Sequence, residues 1–211
     1  MKRFDLSLYL VLDPDLCSPV GMVETARLAI AGGATIVQLR DKKATTQEMI
    51  ATGLLLKAVL AGTGVPLIVN DDVEAAIAIG ADGVHVGQDD LAAALTRQQI
   101  GPGMILGVSV ETEDLARRVD PGVVDYVGIG PVFATGTKPD HKPPVGFDGL
   151  TRIVAASPVP SVAIGGVKAE HVGQIFAAGA EGLAVVSAVC GRPDPEAAAR
   201  SIADEIRRHR T

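Results

Sequence analysis

Short aliphatic or β-branched runs alternate with alanine-rich amphipathic stretches from one end of this 211-residue chain to the other, a pattern that narrows the possible folds more than any other feature. Eight runs read as strands, at residues 8–12, 36–40, 67–70, 83–87, 105–109, 126–130, 161–164 and 183–187. Between them, small polar residues stand where they can cap the following helix: Thr45 or Thr46 ahead of Glu48, Asp71-Asp72 ahead of Val73, and Ser109 ahead of Thr112 and Glu113. A glycine ends a helix just before every second strand, at Gly33, Gly80, Gly122 and Gly179. Each interval has room for two βα units of roughly 20–25 residues, and four such quarters close a ring. The expected fold is therefore α/β, a single-domain (β/α)8 TIM barrel over residues 1–211. A doubly wound open sheet would carry a glycine-rich dinucleotide fingerprint after its first strand, and Leu12-Asp13-Pro14-Asp15 is nothing of the kind.

Composition limits the partners. With 47% hydrophobic and only 3% aromatic residues and no Trp, the interior is expected to be aliphatic. A net charge of −6 excludes general attraction to nucleic acid, so any phosphate binding must be local. Cys17 and Cys190 are too few for a disulfide framework and lack metal-ligand spacing, so both read as small buried hydrophobes in a reducing cytoplasm. The N-terminus runs straight into a strand rather than a signal peptide, and no apolar stretch reaches the roughly 18 residues of a membrane span. A soluble, cytoplasmic protein without membrane partners is expected; oligomeric state stays open, a homo-oligomer included.

In a barrel of this kind chemistry sits at the C-terminal ends of the strands. Gln38, Arg40 and Lys42 alternate along the end of strand two and point to one side, forming either a cationic pocket or a solvated charged end. Asn70-Asp71-Asp72 and Gly87-Gln88-Asp89-Asp90 end the neighbouring strands three and four. Asp71 and Asp90 could share one Mg2+, which takes one or two carboxylates together with phosphate oxygens; equally, all four aspartates could cap helices. Ser109 ends strand five as a helix cap or ligand contact. After strand six, Thr135-Gly136-Thr137-Lys138 lies in a Gly/Pro-rich connection, 131–146, that reads as a lid. Gly165-Gly166 and Ser187 follow strands seven and eight, where many barrels cradle a phosphate. Two anion sites, and hence two phosphorylated substrates, follow from this inventory. No covalent nucleophile and no histidine base stands out: His85 reads as a structural strand residue, His141 lies in the lid, and His171 and His209 read as surface residues.

These motifs have a family likeness. VQLRDK at 37–42, VNDDVEAAIAIGADGVHVGQDD at 69–90, LGVSVET at 106–112, GPVFATGTK at 130–138, AIGGV at 163–167 and VVSA at 185–188 make the chain resemble the thiamine phosphate synthase family, from about the first strand to the last helix. The resemblance implies a transferase that joins a hydroxymethylpyrimidine diphosphate to a thiazole phosphate with the help of one Mg2+ and releases diphosphate. It puts the pyrimidine diphosphate on Gln38, Leu39, Arg40, Asp41, Lys42, Asn70, Ser109 and Lys138, and the metal on Asp71 and Asp90. It puts the thiazole phosphate on Thr135, Gly136, Thr137, Gly166, Val186 and Ser187, and gives catalysis to Arg40, Lys42, Ser109 and Lys138. The implied mechanism is dissociative and needs no protein nucleophile.

Three alternatives stand beside it. The related thiazole tautomerase has its catalytic histidine where Pro131 stands here. A non-catalytic sensor of thiazole phosphate would have no need of Asp71, Asp90 and Lys138. A phosphosugar isomerase would want an acid/base pair at the strand ends. Gly136 also departs from the family pattern, where a larger residue is frequent, and the DHKPP run of the lid is unusual.

Overall fold

The computed structural model describes residues 4–87, 93–135 and 143–210. The chain runs β1 (Leu8–Leu12), α1 (Pro14–Cys17), α2 (Met22–Ala31), β2 (Ile36–Leu39), α3 (Thr46–Leu60), β3 (Leu67–Asn70), α4 (Val73–Ile79), β4 (Gly83–Val86), α5 (Ala93–Ile100), β5 (Ile105–Val110), α6 (Glu113–Arg117), β6 (Tyr126–Ile129), α7 (Gly146–Ala156), β7 (Ser161–Ile164), α8 (Val172–Ala177), β8 (Gly182–Val185) and α9 (Pro195–His209). Each strand pairs in parallel with the next and β8 returns to β1, closing the expected eight-stranded barrel.

The fourfold repeat is visible in the backbone. The residue just before each even strand gives its N–H to the carbonyl of an odd strand: Thr35 to Leu8, Asp82 to Leu67, Asp125 to Leu106 and Glu181 to Ser161, at 2.8–2.9 Å. In the first three quarters its side chain also accepts the N–H of that same odd-strand residue: Thr35 from Leu8, Asp82 from Leu67 and Asp125 from Leu106. A polar residue at this point thus ties the bottom of one strand to the next. Gly33, Gly80 and Gly179 turn the chain with φ of 109°, 65° and 89°. Gly122 differs from the expectation: α6 stops at Arg117, and Gly122 sits in a turn where its N–H reaches the Asp120 carboxylate.

Helix starts are set locally. Thr45 and Glu48 form a reciprocal capping box on α3, and the carboxylate of Asp72 caps α4. The cap of α6 is Thr112. Ser109 is not a cap: it lies inside β5, which runs one residue beyond it.

The core has two layers. Between sheet and helices it is aliphatic as expected, with Leu10, Leu12, Val37, Leu39 and Leu67 fully buried. Inside the barrel it is not. Leu6, Ile36, Ile68, Ile105 and Val162 share that space with Tyr9 and Tyr126, both buried. Alternation puts every second strand residue inward, so two of the four quarters spend inward positions on tyrosine. Gly107 makes room for one of them, because a Cβ there would lie 2.1 Å from Tyr126 Cζ.

Candidate active site

The C-terminal strand ends surround a pocket of about 200 Å3. Gln38, Arg40 and Lys42 all line it, as their alternation predicts. Leu39 and Asp41 turn to the other side: Leu39 is buried against the helices, and the Asp41 carboxylate accepts the N–H groups of Lys43 and Ala44 at 2.9 and 3.2 Å. The structure therefore brings three side chains of that strand end into the mouth and leaves those two outside it.

Asn70 and Asp71 close the next side. Asp71 has φ 63°, a left-handed conformation that costs a non-glycine residue about 1–2 kcal/mol. Its own N–H bonds the His85 carbonyl at 2.9 Å, and its carboxylate accepts from Asn70 Nδ2 at 2.6 Å and pairs with the Lys42 ammonium. The two adjacent aspartates have thus parted: Asp72 caps α4, whereas Asp71 is turned into the mouth beside a cation. That donor set fits Mg2+, which binds one or two carboxylates and leaves its other positions to phosphate and water. Among the described residues no group of three His, Cys, Asp or Glu side chains could hold a metal. The second expected ligand, Asp90, lies outside the described residues, as do Gln88 and Asp89.

Ser109 lines the mouth from β5, and its Oγ is 2.9 Å from His85 Nε2. From there a string of hydrogen bonds crosses the barrel interior. His85 Nδ1 meets the Tyr126 hydroxyl at 2.9 Å, Tyr126 meets the Tyr9 hydroxyl at 2.8 Å, and Tyr9 receives Gln38 Nε2 at 2.7 Å. Burial raises both tyrosines well above the ordinary phenol range. Both ring nitrogens of His85 are satisfied inside β4, as expected, and His85 also lines the pocket. Its link to a mouth residue was not legible, because the residues involved lie far apart in sequence. Glu111 also lines the pocket, and no sequence motif marks it as a site residue.

Across the mouth, Gly165 and Gly166 have φ of 84° and 67°. The chain after β6 is laced onto them: Val132 N–H bonds Ile164 O at 2.9 Å and Phe133 N–H bonds Gly165 O at 3.0 Å. A Cβ on Gly166 would stand 2.8 Å from Phe133 Cβ and 2.9 Å from the Ala134 carbonyl, so only glycine permits this approach. Thr135, Val186 and Ser187 line the same wall, and Pro131 offers it no titratable group. Beneath it Phe133 packs on Phe147 and His171, with ring centroids 5.1 and 4.5 Å away, so His171 lies at the surface, as expected, but partly buried against two aromatic rings. Gly136, Thr137, Lys138 and His141 lie outside the described residues. Among the described residues no helix is long and apolar enough to cross a membrane. Cys17 and Cys190 are buried free thiols.

A closed (β/α)8 barrel whose strand ends gather Arg40, Lys42, Asp71 and Glu111 with a glycine-lined wall around one pocket has the layout of an enzyme. Residues 8–189 match the family model of thiamine monophosphate synthase. The chain is 47% identical over 201 residues to a thiamine-phosphate synthase of Xanthobacter autotrophicus, covering 95% of each protein. With a thiamine-phosphate synthase of Moorella thermoacetica it shares 42% over 210 residues, 100% of this chain and 99% of that one. The solved thiamine phosphate pyrophosphorylase from Pyrococcus furiosus superposes with a TM-score of 0.87 at 33% identity, covering 97% of this chain and 96% of that one. A 3-hexulose-6-phosphate synthase, at 22% identity and a TM-score of 0.66, shares the fold alone. The chain belongs to the thiamine monophosphate synthase family, a family of enzymes.

Proposed function

We propose that the protein condenses 4-amino-2-methyl-5-(diphosphooxymethyl)pyrimidine with 4-methyl-5-(2-phosphooxyethyl)thiazole to give thiamine phosphate and diphosphate. The observation that carries this reading is the two-sided mouth, with Arg40 and Lys42 on one wall and Gly165, Gly166 and Ser187 on the other, in a member of this family. Two phosphorylated substrates need two such walls.

The bond between the pyrimidine methylene and the diphosphate oxygen breaks, and its electron pair leaves with diphosphate. The thiazole nitrogen then supplies the pair for the new C–N bond. Arg40 and Lys42, with Lys138, stabilise the charge that develops on the leaving group, which is where fixed cations contribute most. Asn70 and Ser109 orient the diphosphate substrate. Bare N–H groups at Gly165-Gly166, with Thr135, Thr137, Gly136, Val186 and Ser187, hold the thiazole phosphate. Asp71 and Asp90 would hold one Mg2+, which when bound adds positive charge at the diphosphate oxygens. No protein nucleophile takes part. A cytoplasmic location is compatible with Cys17 and Cys190, which are buried and unbridged.

Substitution on one wall tests the division of labour. Arg40→Ala and Lys42→Ala should each lower kcat/KM for the pyrimidine diphosphate by roughly 100-fold or more, the scale of losing one fixed transition-state donor. The KM for the thiazole phosphate should barely change. A rise in the KM for the thiazole phosphate as large as that for the pyrimidine diphosphate would contradict two separate sites.

A further inference from the structure

We propose that Cys17 and Cys190 form a redox modification site, at which a hydroperoxide converts the two thiols to an intramolecular disulfide that fastens the turn carrying Ser187 to α1 and weakens phosphate binding at that wall. The covalent step is independent of the function given above. Its effect at the mouth rests on that function for the identity of the ligand.

The barrel closes between β1 and β8, and the two cysteines meet across that seam just beyond the strand ends. Cys17 ends α1, which follows β1, and Cys190 lies in the turn after β8. Both side chains are buried and unbridged. The two thiols hydrogen-bond each other, and the Asp13 N–H is directed at both sulfurs. The backbones are close as well, since a Cβ on Gly191 would stand 3.2 Å from the Leu16 carbonyl oxygen. Each cysteine is the last buried residue before an exposed loop, 18–21 after Cys17 and 191–194 after Cys190. A local opening of either loop therefore bares a thiol without disturbing the sheet.

One thiol of such a pair loses its proton readily because the other S–H supports the thiolate. That contact with Cys190, helped by the Asp13 N–H, holds Cys17 below the ordinary thiol range against its burial, while the same contact and burial push Cys190 up. The Cys17 thiolate attacks the terminal oxygen of the hydroperoxide: an S–O bond forms, the O–O bond breaks, and the leaving oxygen takes up a proton. The Cys190 sulfur then attacks the Cys17 sulfenic acid, losing its proton as the S–S bond forms and water departs. Two thiols are oxidised, and the hydroperoxide is reduced to an alcohol and water, or to water alone when it is hydrogen peroxide. The effect reaches the mouth through one turn. Cys190 N–H bonds the Val186 carbonyl at 2.8 Å and Arg192 Nε bonds the Ser187 carbonyl at 3.1 Å, so Val186, Ser187 and Cys190 move together. Val186 and Ser187 line the pocket, as does Val11, whose carbonyl lies 3.5 Å from Cys190 Sγ. Bonded sulfurs sit closer than touching thiols, so the disulfide draws this turn toward α1 and displaces Ser187.

Reduced protein treated with hydrogen peroxide and then unfolded without reductant should have lost both titratable thiols. Peptide mass mapping should recover the segments with Cys17 and Cys190 joined, two hydrogens lighter than the reduced pair. In Cys190→Ala the oxidation should stop as an acid at Cys17, and in Cys17→Ala the Cys190 thiol should survive the same treatment. Persistence of both thiols in the unmodified protein, or cysteines found only as separate acids or joined between molecules, would overturn the site. Calorimetry with the thiazole phosphate should show the oxidised protein binding roughly 5-fold more weakly or worse, with the affinity restored by dithiothreitol and peroxide without effect on Cys17→Ala. Equal affinity of the reduced and disulfide forms would overturn the link to the mouth. If neither form binds the thiazole phosphate, the proposed function fails, while the thiol count and the mapping still decide the disulfide.

Discussion

Replacing Gly166 by alanine should damage the phosphate wall in a way that can be worked out from its surroundings. The backbone at φ 67° costs a residue with a Cβ about 1–2 kcal/mol. The added methyl would also stand 2.8 Å from Phe133 Cβ and 2.9 Å from the Ala134 carbonyl, and overpacking of this kind costs a further ~1–3 kcal/mol. The total of about 2–5 kcal/mol corresponds to a fall in Tm of roughly 4–20 °C for a domain of this size. Gly80→Ala is the control: φ is 65°, nothing lies within 4 Å of the added Cβ, and only the backbone cost applies. Where strain at Gly166 is relieved by movement of the Phe133–Ala134 segment, Thr135 moves with it. The KM for the thiazole phosphate should then rise about 10-fold or more, equivalent to roughly 1.4 kcal/mol, with little change for the pyrimidine diphosphate. Thermal unfolding and two-substrate kinetics on both variants measure this. A Gly166→Ala protein as stable as Gly80→Ala, with an unaltered thiazole phosphate KM, would refute the close approach and the phosphate role together.

Away from the mouth, Arg97 donates to the carbonyls of Val123, Gly101 and Met104 and pairs with Asp125 at 2.7 Å. Arg97→Ala should cost about 3–5 kcal/mol in urea unfolding and leave kcat/KM intact at temperatures where the protein is folded; a loss below 1 kcal/mol would contradict this fastening role. Asp71→Ala should raise the Mg2+ concentration needed for half-maximal activity by about 10-fold or more, or abolish turnover, and an unchanged requirement would remove Asp71 from the metal site. Burial holds the His171 pKa below its ordinary 6.5, so the unfolded chain takes up that proton more readily than the folded one. Stability from the Phe133–Phe147–His171 cluster is therefore whole above about pH 6.5 and declines as pH falls through it toward the lower folded value. Thermal melts of His171→Phe between about pH 7.5 and 5 should show a flatter dependence than the unmodified protein, and an equally steep one would contradict the assignment.

The fold was legible because periodicity and glycine spacing report local geometry. Strands β1, β3 and β7 have the bounds read from sequence, and Thr45 and Asp72 cap as their positions suggest. The even strands end one or two residues earlier than their hydrophobic runs imply. Arg40, Gly87, Val186 and Ser187 leave the sheet at its rim to line the mouth, and hydropathy does not mark that departure. Much of the site could be read because Gln38, Arg40 and Lys42 alternate and Gly165-Gly166 is a short motif. What escaped depends on three-dimensional pairing. Nothing local marks Tyr9 and Tyr126 as hydrogen-bonded across 117 positions, or tells Asp71, with its left-handed backbone, from the capping Asp72. The alternation that brings Gln38, Arg40 and Lys42 into the mouth also turns Leu39 and Asp41 away from it, against the substrate contacts that the family resemblance implied for those two.

The most direct test of the proposed reaction is diphosphate release by the purified protein supplied with the pyrimidine diphosphate, the thiazole phosphate and Mg2+, repeated with each component omitted in turn. Release that requires all three and is matched mole for mole by thiamine phosphate is the predicted result. Tight binding of the thiazole phosphate with no release under any combination would contradict it.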